Sequence, residues 1–96
     1  MALYVILSNL TDHGRKTIKS RPERIREVND EIEAMGGKVL AQYATLGPYD
    51  FVNIVEAANN EVIVRISVEL GSRGTLHLMT LPAIKADEFI SRIAPA

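Results

Sequence analysis

The stretch Leu46-Gly47-Pro48-Tyr49-Asp50-Phe51-Val52 decides the fold, because it connects two apolar runs of the chain. Gly47-Pro48 is a turn signal, and a turn signal between apolar runs predicts a β-hairpin. We therefore predict that residues 39–46 and 49–56 form the two strands of this hairpin. Tyr49 and Asp50 begin the second strand, so an aromatic hydroxyl and a carboxylate are expected at the end of the sheet where the hairpin turns.

A first helix is predicted to begin at residues 20–23, where a serine and a glutamate have the spacing of a capping box. Pro22 lies near the first turn, where its missing amide hydrogen is not needed. Gly36-Gly37 provides the C-terminal stop. An earlier helical turn capped by Thr11 or Asp12 is also expected. The apolar residues of the first helix recur at helical spacing and are Ile25, Val28, Ile32 and Met35.

Residues 61–70 carry two competing patterns. Their β-branched content and alternation favour a strand, whereas the asparagines before the run and Gly71 after it favour a helix. We predict a helix, with Gly71 in a left-handed cap, from the order of the elements and the family resemblance given below. Strands at 3–7 and 75–81 and a helix at 87–93 complete the chain. The predicted fold class is α+β, a ferredoxin-like β-α-β-β-α-β order with a four-stranded antiparallel sheet and a short C-terminal helix.

Alternation along the strands divides their residues into two sets, one for each face of the sheet. The set expected beneath the helices is Leu3, Val5, Leu7, Leu40, Val52, Ile54, Leu76 and Leu78. The set expected on the other face is Tyr4, Val39, Ala41, Tyr43, Tyr49, Phe51, Asn53, Val55, Thr75, His77 and Met79. Helices connected in this order cover only one face, so the second set would leave a large apolar patch exposed. We therefore predict a homo-oligomer that buries this patch, with Tyr43, Phe51, Asn53, Val55 and Met79 in the contact.

The composition is that of a globular domain and argues against several classes of function. Of the 96 residues, 47% are hydrophobic and 24% are charged, which suits one ferredoxin-like domain over residues 1–96. The formal net charge of -1 provides no electrostatic footprint for nucleic acid or an anionic membrane. The absence of cysteine excludes disulfides and thiol chemistry. Because no signal sequence and no apolar run of ~20 residues is present, a cytoplasmic protein is expected.

Six motifs, in order along nearly the whole chain, resemble those of the GYD domain family. Pro48 separates the glycine from the Tyr-Asp pair of the motif that gives the family its name. The motifs are Tyr4-Val5-Ile6-Leu7-Ser8, Thr11-Asp12-His13-Gly14, Ile18-Lys19-Ser20-Arg21-Pro22-Glu23-Arg24, Gly47-Pro48-Tyr49-Asp50, Leu70-Gly71-Ser72-Arg73-Gly74 and Glu88-Phe89.

The resemblance implies a dimeric α/β-barrel, in which ferredoxin-like protomers pair through their sheets. This agrees with the two apolar faces of the predicted strands. It implies no particular activity, because related barrels include cofactor-free oxygenases, lactone isomerases, haem enzymes and stress-responsive proteins. A shared fold does not transfer any of these activities.

Seven side chains are candidates for ligand binding on the predicted fold. A metal site formed by Asp12, His13 and Asp50 matches no recognised ligand spacing, so neither a metal nor a cofactor is expected. The turn at residues 71–74 is glycine-rich, but it follows a helix and is more simply a C-terminal cap than a phosphate site. The candidate ligand-binding residues are His13, Tyr43, Tyr49, Asp50, Asn53, Arg73 and His77.

The topology is expected to bring four segments to one rim of the sheet. They are the hairpin turn, the end of strand one, the start of helix one at Asp12 and His13, and residues 71–74. The Asp50 carboxylate should then face the amides that open helix one. Two interpretations of Asp50 remain open. It either staples the hairpin to the helix, or it belongs to a binding site at a rim that opens into the cavity between paired sheets.

Two functional hypotheses also remain open. The first is a small-molecule-binding or regulatory homo-oligomer that uses the inter-sheet cavity or the rim around Tyr49-Asp50. The second is a cofactor-free oxygenase or isomerase that uses His77 and tyrosine hydroxyls, and convergence of His77 with Asn53 in one cavity would favour it. The first is slightly favoured because no set of nucleophile, base and orienting group is visible. A scaffold role is a third possibility.

Overall fold

The computed structural model describes residues 1–95 and contains one four-stranded antiparallel sheet with the strand order β2-β3-β1-β4. The central strand β1 pairs with β3 on one side and with β4 on the other. This is the predicted ferredoxin-like arrangement, which is confirmed. The elements are β1 (Ala2–Leu10), α1 (Asp12–Ser20), α2 (Arg24–Ala34), β2 (Lys38–Ala44), β3 (Phe51–Ala57), α3 (Asn60–Gly71), β4 (Leu76–Ala83) and α4 (Ala86–Ile93).

Two separate helices occupy the segment between β1 and β2. Thr11 is the N-cap of α1, and its side chain accepts a hydrogen bond from the Gly14 amide. The predicted capping box at residues 20–23 is wrong, because Ser20 is the last residue of α1 and its hydroxyl donates to the Thr17 carbonyl. The N-cap of α2 is Glu23, which makes no side-chain capping bond. The predicted stop is confirmed, since α2 ends at Ala34 and is followed by two glycines.

The ambiguous run at residues 61–70 is helical. Its N-cap is Asn59, whose side chain accepts a hydrogen bond from the Val62 amide at 3.0 Å. The prediction of a left-handed cap at Gly71 is wrong, because Gly71 is the last residue of the helix and lacks a positive φ. Gly74, with φ at 73°, takes the left-handed conformation instead and lets the chain turn into β4.

The hydrophobic core lies between the helices and the sheet, and it corrects the predicted faces of β1 and β3. Tyr4, Ile6 and Val55 are at most 2% exposed and pack against residues of α2 and α3. The Tyr4 ring enters the core because its hydroxyl can donate to the Asn60 side chain at the start of α3. Both alternating sets of these strands are apolar, so alternation alone could not identify the buried one.

The sheet face that the helices leave uncovered is called the open face below. It contains only part of the predicted contact surface, because Phe51, Asn53 and Val55 lie on the helix-covered side. Tyr43 and Met79 do lie on the open face and are 61% and 48% exposed. The open-face residues are Leu3, Val5, Leu7, Ala41, Tyr43, Val52, Ile54, His77, Met79 and Leu81.

A β-bulge in β2 explains why the side chains of this strand do not alternate regularly between the two faces of the sheet. The pairing matches Val39 with Val55 and Ala41 with Ile54, so Leu40 is an extra residue. The bulge reverses the alternation, and Val39 therefore faces the helices whereas Tyr43 faces away. Leu40, which alternation assigned to the core, is 46% exposed.

The C-terminal helix α4 packs little against the rest of the protomer. All eight of its residues are exposed, including the apolar stripe of Phe89, Ile90 and Ile93. Such a short helix is marginal in water unless its apolar side is covered. Within residues 1–95, no helix combines the length and the apolar character that crossing a membrane requires.

Candidate functional site

Asp50 joins the hairpin turn to the end of β1. Its Oδ2 atom accepts a hydrogen bond from the Leu10 amide at 2.9 Å, and its own amide donates to the Ser8 carbonyl at 2.9 Å. The Arg15 guanidinium of α1 lies 3.7 Å from the same carboxylate oxygen. The carboxylate therefore contacts a backbone amide two residues before α1 and a side chain on its first turn. This geometry suits a staple between hairpin, strand and helix.

The loop between α3 and β4 reaches the same end of the sheet. The Thr11 hydroxyl donates to the Gly74 carbonyl at 2.8 Å, and the Thr11 amide donates to the Thr75 carbonyl at 3.0 Å. The contact is so close that a Cβ atom on Gly14 would lie 2.2 Å from the Thr75 oxygen. Glycine is therefore required at this position of α1. The segments expected to meet at one rim do so.

A cluster of ion pairs connects α2 with the end of α3. Arg24 Nη1 lies 2.7 Å from Glu31 Oε1 and 3.2 Å from Glu27 Oε1. Arg73 contacts Glu31 Oε2 and also pairs with Glu69 at 3.3 Å. Burial raises the pKa of Glu31, but hydrogen bonds from Arg24 and Arg73 outweigh it, and the pKa of Glu31 is lowered. The carboxylate of Glu31 is thus held ionised between two guanidinium groups.

A cavity of about 270 Å³ lies between α1, α2 and the helix-covered face of the sheet. We call it the helix-side cavity. Its wall is mainly apolar, but it includes Asn53, whose Nδ2 atom faces the Ile6 carbonyl at 3.5 Å. The side-chain amides of Asn29 and Gln42, also in the wall, donate to each other at 2.9 and 3.1 Å.

The structure divides the predicted site residues between the two sides of the sheet. Arg73, Asn53 and His13 line the helix-side cavity. Tyr43 and His77 lie on the open face, and the Tyr49 hydroxyl donates to Met79 Sδ there at 3.6 Å. Asp50 lies at the end of the sheet between these groups.

His77 and Asn53 lie on opposite faces of the sheet, so they do not converge on one point. His77 is exposed at the beginning of β4, next to Asn9 of β1, and not in the middle of its strand. Within residues 1–95, no hydrogen bond connects either histidine side chain to a hydroxyl or a carboxylate. The arrangement that would have favoured an oxygenase or isomerase is therefore not formed in the described chain.

The structure also tests the geometry of the conceivable metal site. Asp12 and Asp50 each lie 3.7 Å from a different nitrogen of the Arg15 guanidinium, so both carboxylates face a cation. In the part of the chain that the structure describes, no three histidine or acidic side chains come together as metal ligands.

Sequence reasoning missed two groups of contacts in and around the helix-side cavity. Arg24, Glu27 and Glu31 have the spacing of neighbours on one helix face, so their ion pairs could have been anticipated. The reciprocal amide pair of Asn29 and Gln42 joins α2 to β2, and no local pattern predicts it.

Comparison with known proteins identifies relatives across nearly the whole chain. A family model described as "GYD domain" matches residues 4–93. A protein of Thermus thermophilus named "Glutamine synthetase and cystathionine beta-lyase binding protein" is 49% identical over 94 residues. The match covers 97% of this chain and 99% of that relative.

Two solved structures share the fold at lower sequence identity. FFRP-DM1 superimposes with a TM-score of 0.59 and 22% identity, over 88% of this chain and 100% of that chain. MtbAldR gives a TM-score of 0.67 and 24% identity, over 88% of this chain and 53% of that chain. At these identities the likeness concerns the fold alone.

Proposed function

The chain belongs to the GYD domain family, and from that premise we propose that it is a homo-oligomeric binding protein that attaches to a metabolic enzyme and regulates it. The observation that carries the proposal is the match with a relative named for binding two enzymes, which is 49% identical and is covered almost completely. Glutamine synthetase and cystathionine β-lyase are therefore the first partners to test.

Self-association is supported by the open face. Tyr43, Met79 and Leu81 are 61%, 48% and 43% exposed, and they flank a strip of half-buried aliphatic side chains on β1 and β3. A continuous apolar surface of this kind is unusual on a monomer and is typical of an interface. A second copy that packs sheet against sheet would bury it. The exposed apolar stripe of α4 gives a second copy a further surface to cover.

Partner binding requires a surface that remains accessible when two sheets are paired. The outer side of α3 provides one, since Val64 and Val68 are 57% and 65% exposed. They are four residues apart and therefore neighbours on one side of the helix. Arg65 and Glu61 flank them, which gives the patch the apolar centre and charged rim found at protein interfaces. We assign the enzyme contact to this patch.

The proposal is tested by titrating purified glutamine synthetase, and separately cystathionine β-lyase, with the protein in a calorimeter. At least one enzyme should form a complex of fixed stoichiometry, with altered turnover when the complex is saturated. Val68→Glu should weaken the complex without changing self-association, because it alters only the outer side of α3. Absence of heat and of any change in turnover with both enzymes would contradict these partners. Unchanged binding by the variant would place the contact elsewhere.

A further inference from the structure

The helix-side cavity opens to the surface and has room for a small molecule. The cavity measures about 270 Å³, whereas an engineered cavity of roughly 150 Å³ already binds benzene. A molecule with roughly 10–15 non-hydrogen atoms would fill such a space. Size therefore points to a small metabolite and not to a macromolecular segment.

Asn53 supplies a buried hydrogen-bond acceptor in this wall. Its amide nitrogen faces the Ile6 carbonyl, which determines how the side-chain amide is turned. The Oδ1 atom is fully buried, and no hydrogen-bond donor within residues 1–95 reaches it. A buried acceptor without a donor lowers stability and is rare in native proteins. A small rotation of the Asn53 side chain would turn this atom toward the cavity, where a ligand hydroxyl, amine or amide N–H would satisfy it.

The charged side chains of the wall favour an anion. Arg24 and Arg73 line the cavity, and none of its lining residues is acidic. The carboxylates that pair with these arginines belong to Glu27, Glu31 and Glu69, which are not part of the wall. A guanidinium has five N–H donors in a planar fork that suits a carboxylate. The ion pairs therefore hold the two arginines in position and leave donors for a ligand.

We propose that the helix-side cavity binds a small apolar carboxylic acid that also carries a hydrogen-bond donor. The carboxylate binds to Arg24 and Arg73, the donor bonds to Asn53 Oδ1, and the apolar body packs against side chains such as Ile25 and Phe51. This site lies on the opposite side of the sheet from the open face. It depends neither on self-association nor on a partner enzyme, so it extends the function proposed above.

Three related probes separate the parts of this proposal. 3-Phenyllactate carries an aromatic body, a hydroxyl and a carboxylate, whereas 3-phenylpropanoate lacks the hydroxyl and 3-phenylpropane-1,2-diol lacks the carboxylate. Two-dimensional amide NMR of the wild-type protein, without any partner enzyme, should show 3-phenyllactate shifting cavity residues such as Asn53, Leu70 and Leu76. The open-face residues Tyr43 and Leu81 should not shift. Each of the two incomplete probes should bind about tenfold more weakly, as expected for the loss of one buried polar contact.

Two variants test the assigned residues. Asn53→Leu, which keeps the approximate shape of the side chain, should remove the difference in affinity between 3-phenyllactate and 3-phenylpropanoate. Arg73→Gln should reduce the difference in affinity between 3-phenyllactate and 3-phenylpropane-1,2-diol. Leu81→Ala on the open face is the matched control and should leave all three affinities unchanged.

The possible results decide the proposal. Absence of shifts at millimolar 3-phenyllactate would overturn it, as would shifts confined to the open face. Equal affinity for the three probes would show that the cavity does not recognise the polar groups and would also overturn it. If Asn53→Leu retained the full preference for the hydroxyl, the assignment of Asn53 would be wrong. The partner titrations have a separate readout, so failure of either proposal leaves the other standing.

Discussion

Replacing Met79 by glutamate tests the assembly through the open face. In the single protomer Met79 is 48% exposed, on the strand β4 that flanks the central strand. A glutamate can therefore remain solvated when the protomer is alone, and the variant should fold. When two open faces pack together, the same carboxylate would be buried without a partner. The substitution thus acts on assembly and not on folding.

The size of the change in dimer affinity follows from the burial of side chains in the interface. Covering the exposed half of an apolar side chain contributes about 1 kcal/mol, since complete burial contributes about 1.5–3 kcal/mol. Tyr43, Met79 and Leu81 in two copies thus provide about 6 kcal/mol. An unpaired buried charge costs about 3–5 kcal/mol, and a symmetric dimer would contain two. Met79→Glu should therefore raise the dimer dissociation constant by at least about 10⁴-fold.

Sedimentation equilibrium measures this change directly. The wild-type protein should be oligomeric at micromolar concentration, and Met79→Glu should be monomeric with an unchanged far-ultraviolet circular dichroism spectrum. Val64→Glu is the matched control, because Val64 is 57% exposed on α3 and not on the sheet. If the wild type is a monomer, or if Met79→Glu keeps the wild-type mass, the open face is not the interface.

Three further predictions concern the stability of the protomer and are checked by urea denaturation. Gly14→Ala should cost about 1–3 kcal/mol, because the new Cβ would overlap a loop carbonyl at 2.2 Å, whereas Gly71→Ala should be neutral or slightly stabilising, with its nearest neighbour at 3.7 Å. Asp50→Ala should cost about 1–3 kcal/mol by leaving the Leu10 amide without its acceptor, and Asp50→Asn should cost less because the amide oxygen can still accept. Equal losses for both Asp50 variants would refute the staple. Because the pKa of Glu31 is lowered in the folded protein, its ionised carboxylate stabilises the fold. This stabilisation is fully present above the ordinary glutamate pKa of about 4.3 and is lost as pH falls through the lower folded-state pKa. The difference in unfolding free energy between wild type and Glu31→Gln should therefore be constant near neutral pH and shrink in acid, and a difference independent of pH would contradict this explanation.

Signals at the ends of elements, together with the family resemblance, allowed the order of the fold to be predicted. The run at 61–70 has strand-like composition, yet the Asn59 cap and the tertiary arrangement make it a helix. The predicted beginnings and ends of the helices were less accurate where two signals competed. Ser20 has capping-box spacing with the next segment, but Thr11 begins a helix early enough that Ser20 falls inside it. Local patterns do not show which of two overlapping helix starts prevails.

The faces of the sheet could not be predicted in the same way, and the candidate site depended on them. Alternation groups residues into sets, but β1 and β3 are apolar on both sides, so hydrophobicity does not distinguish the buried set. What distinguishes it is long-range: the helices cover that face, and the hydroxyl of Tyr4 buried there bonds to Asn60, 56 residues away. The inserted Leu40 then reverses the alternation in β2. The predicted faces of β1 and β3 are the reverse of the observed ones, whereas those of β4 are correct. Residues expected in one cavity therefore lie on opposite sides of the sheet, and Asn53 and His77 do not share a cavity. The same reversal places Asn53 in the wall of the helix-side cavity, which Arg73 also lines. The apolar character of both strand faces therefore explains the wrong face assignment and also why the sequence did not reveal this cavity.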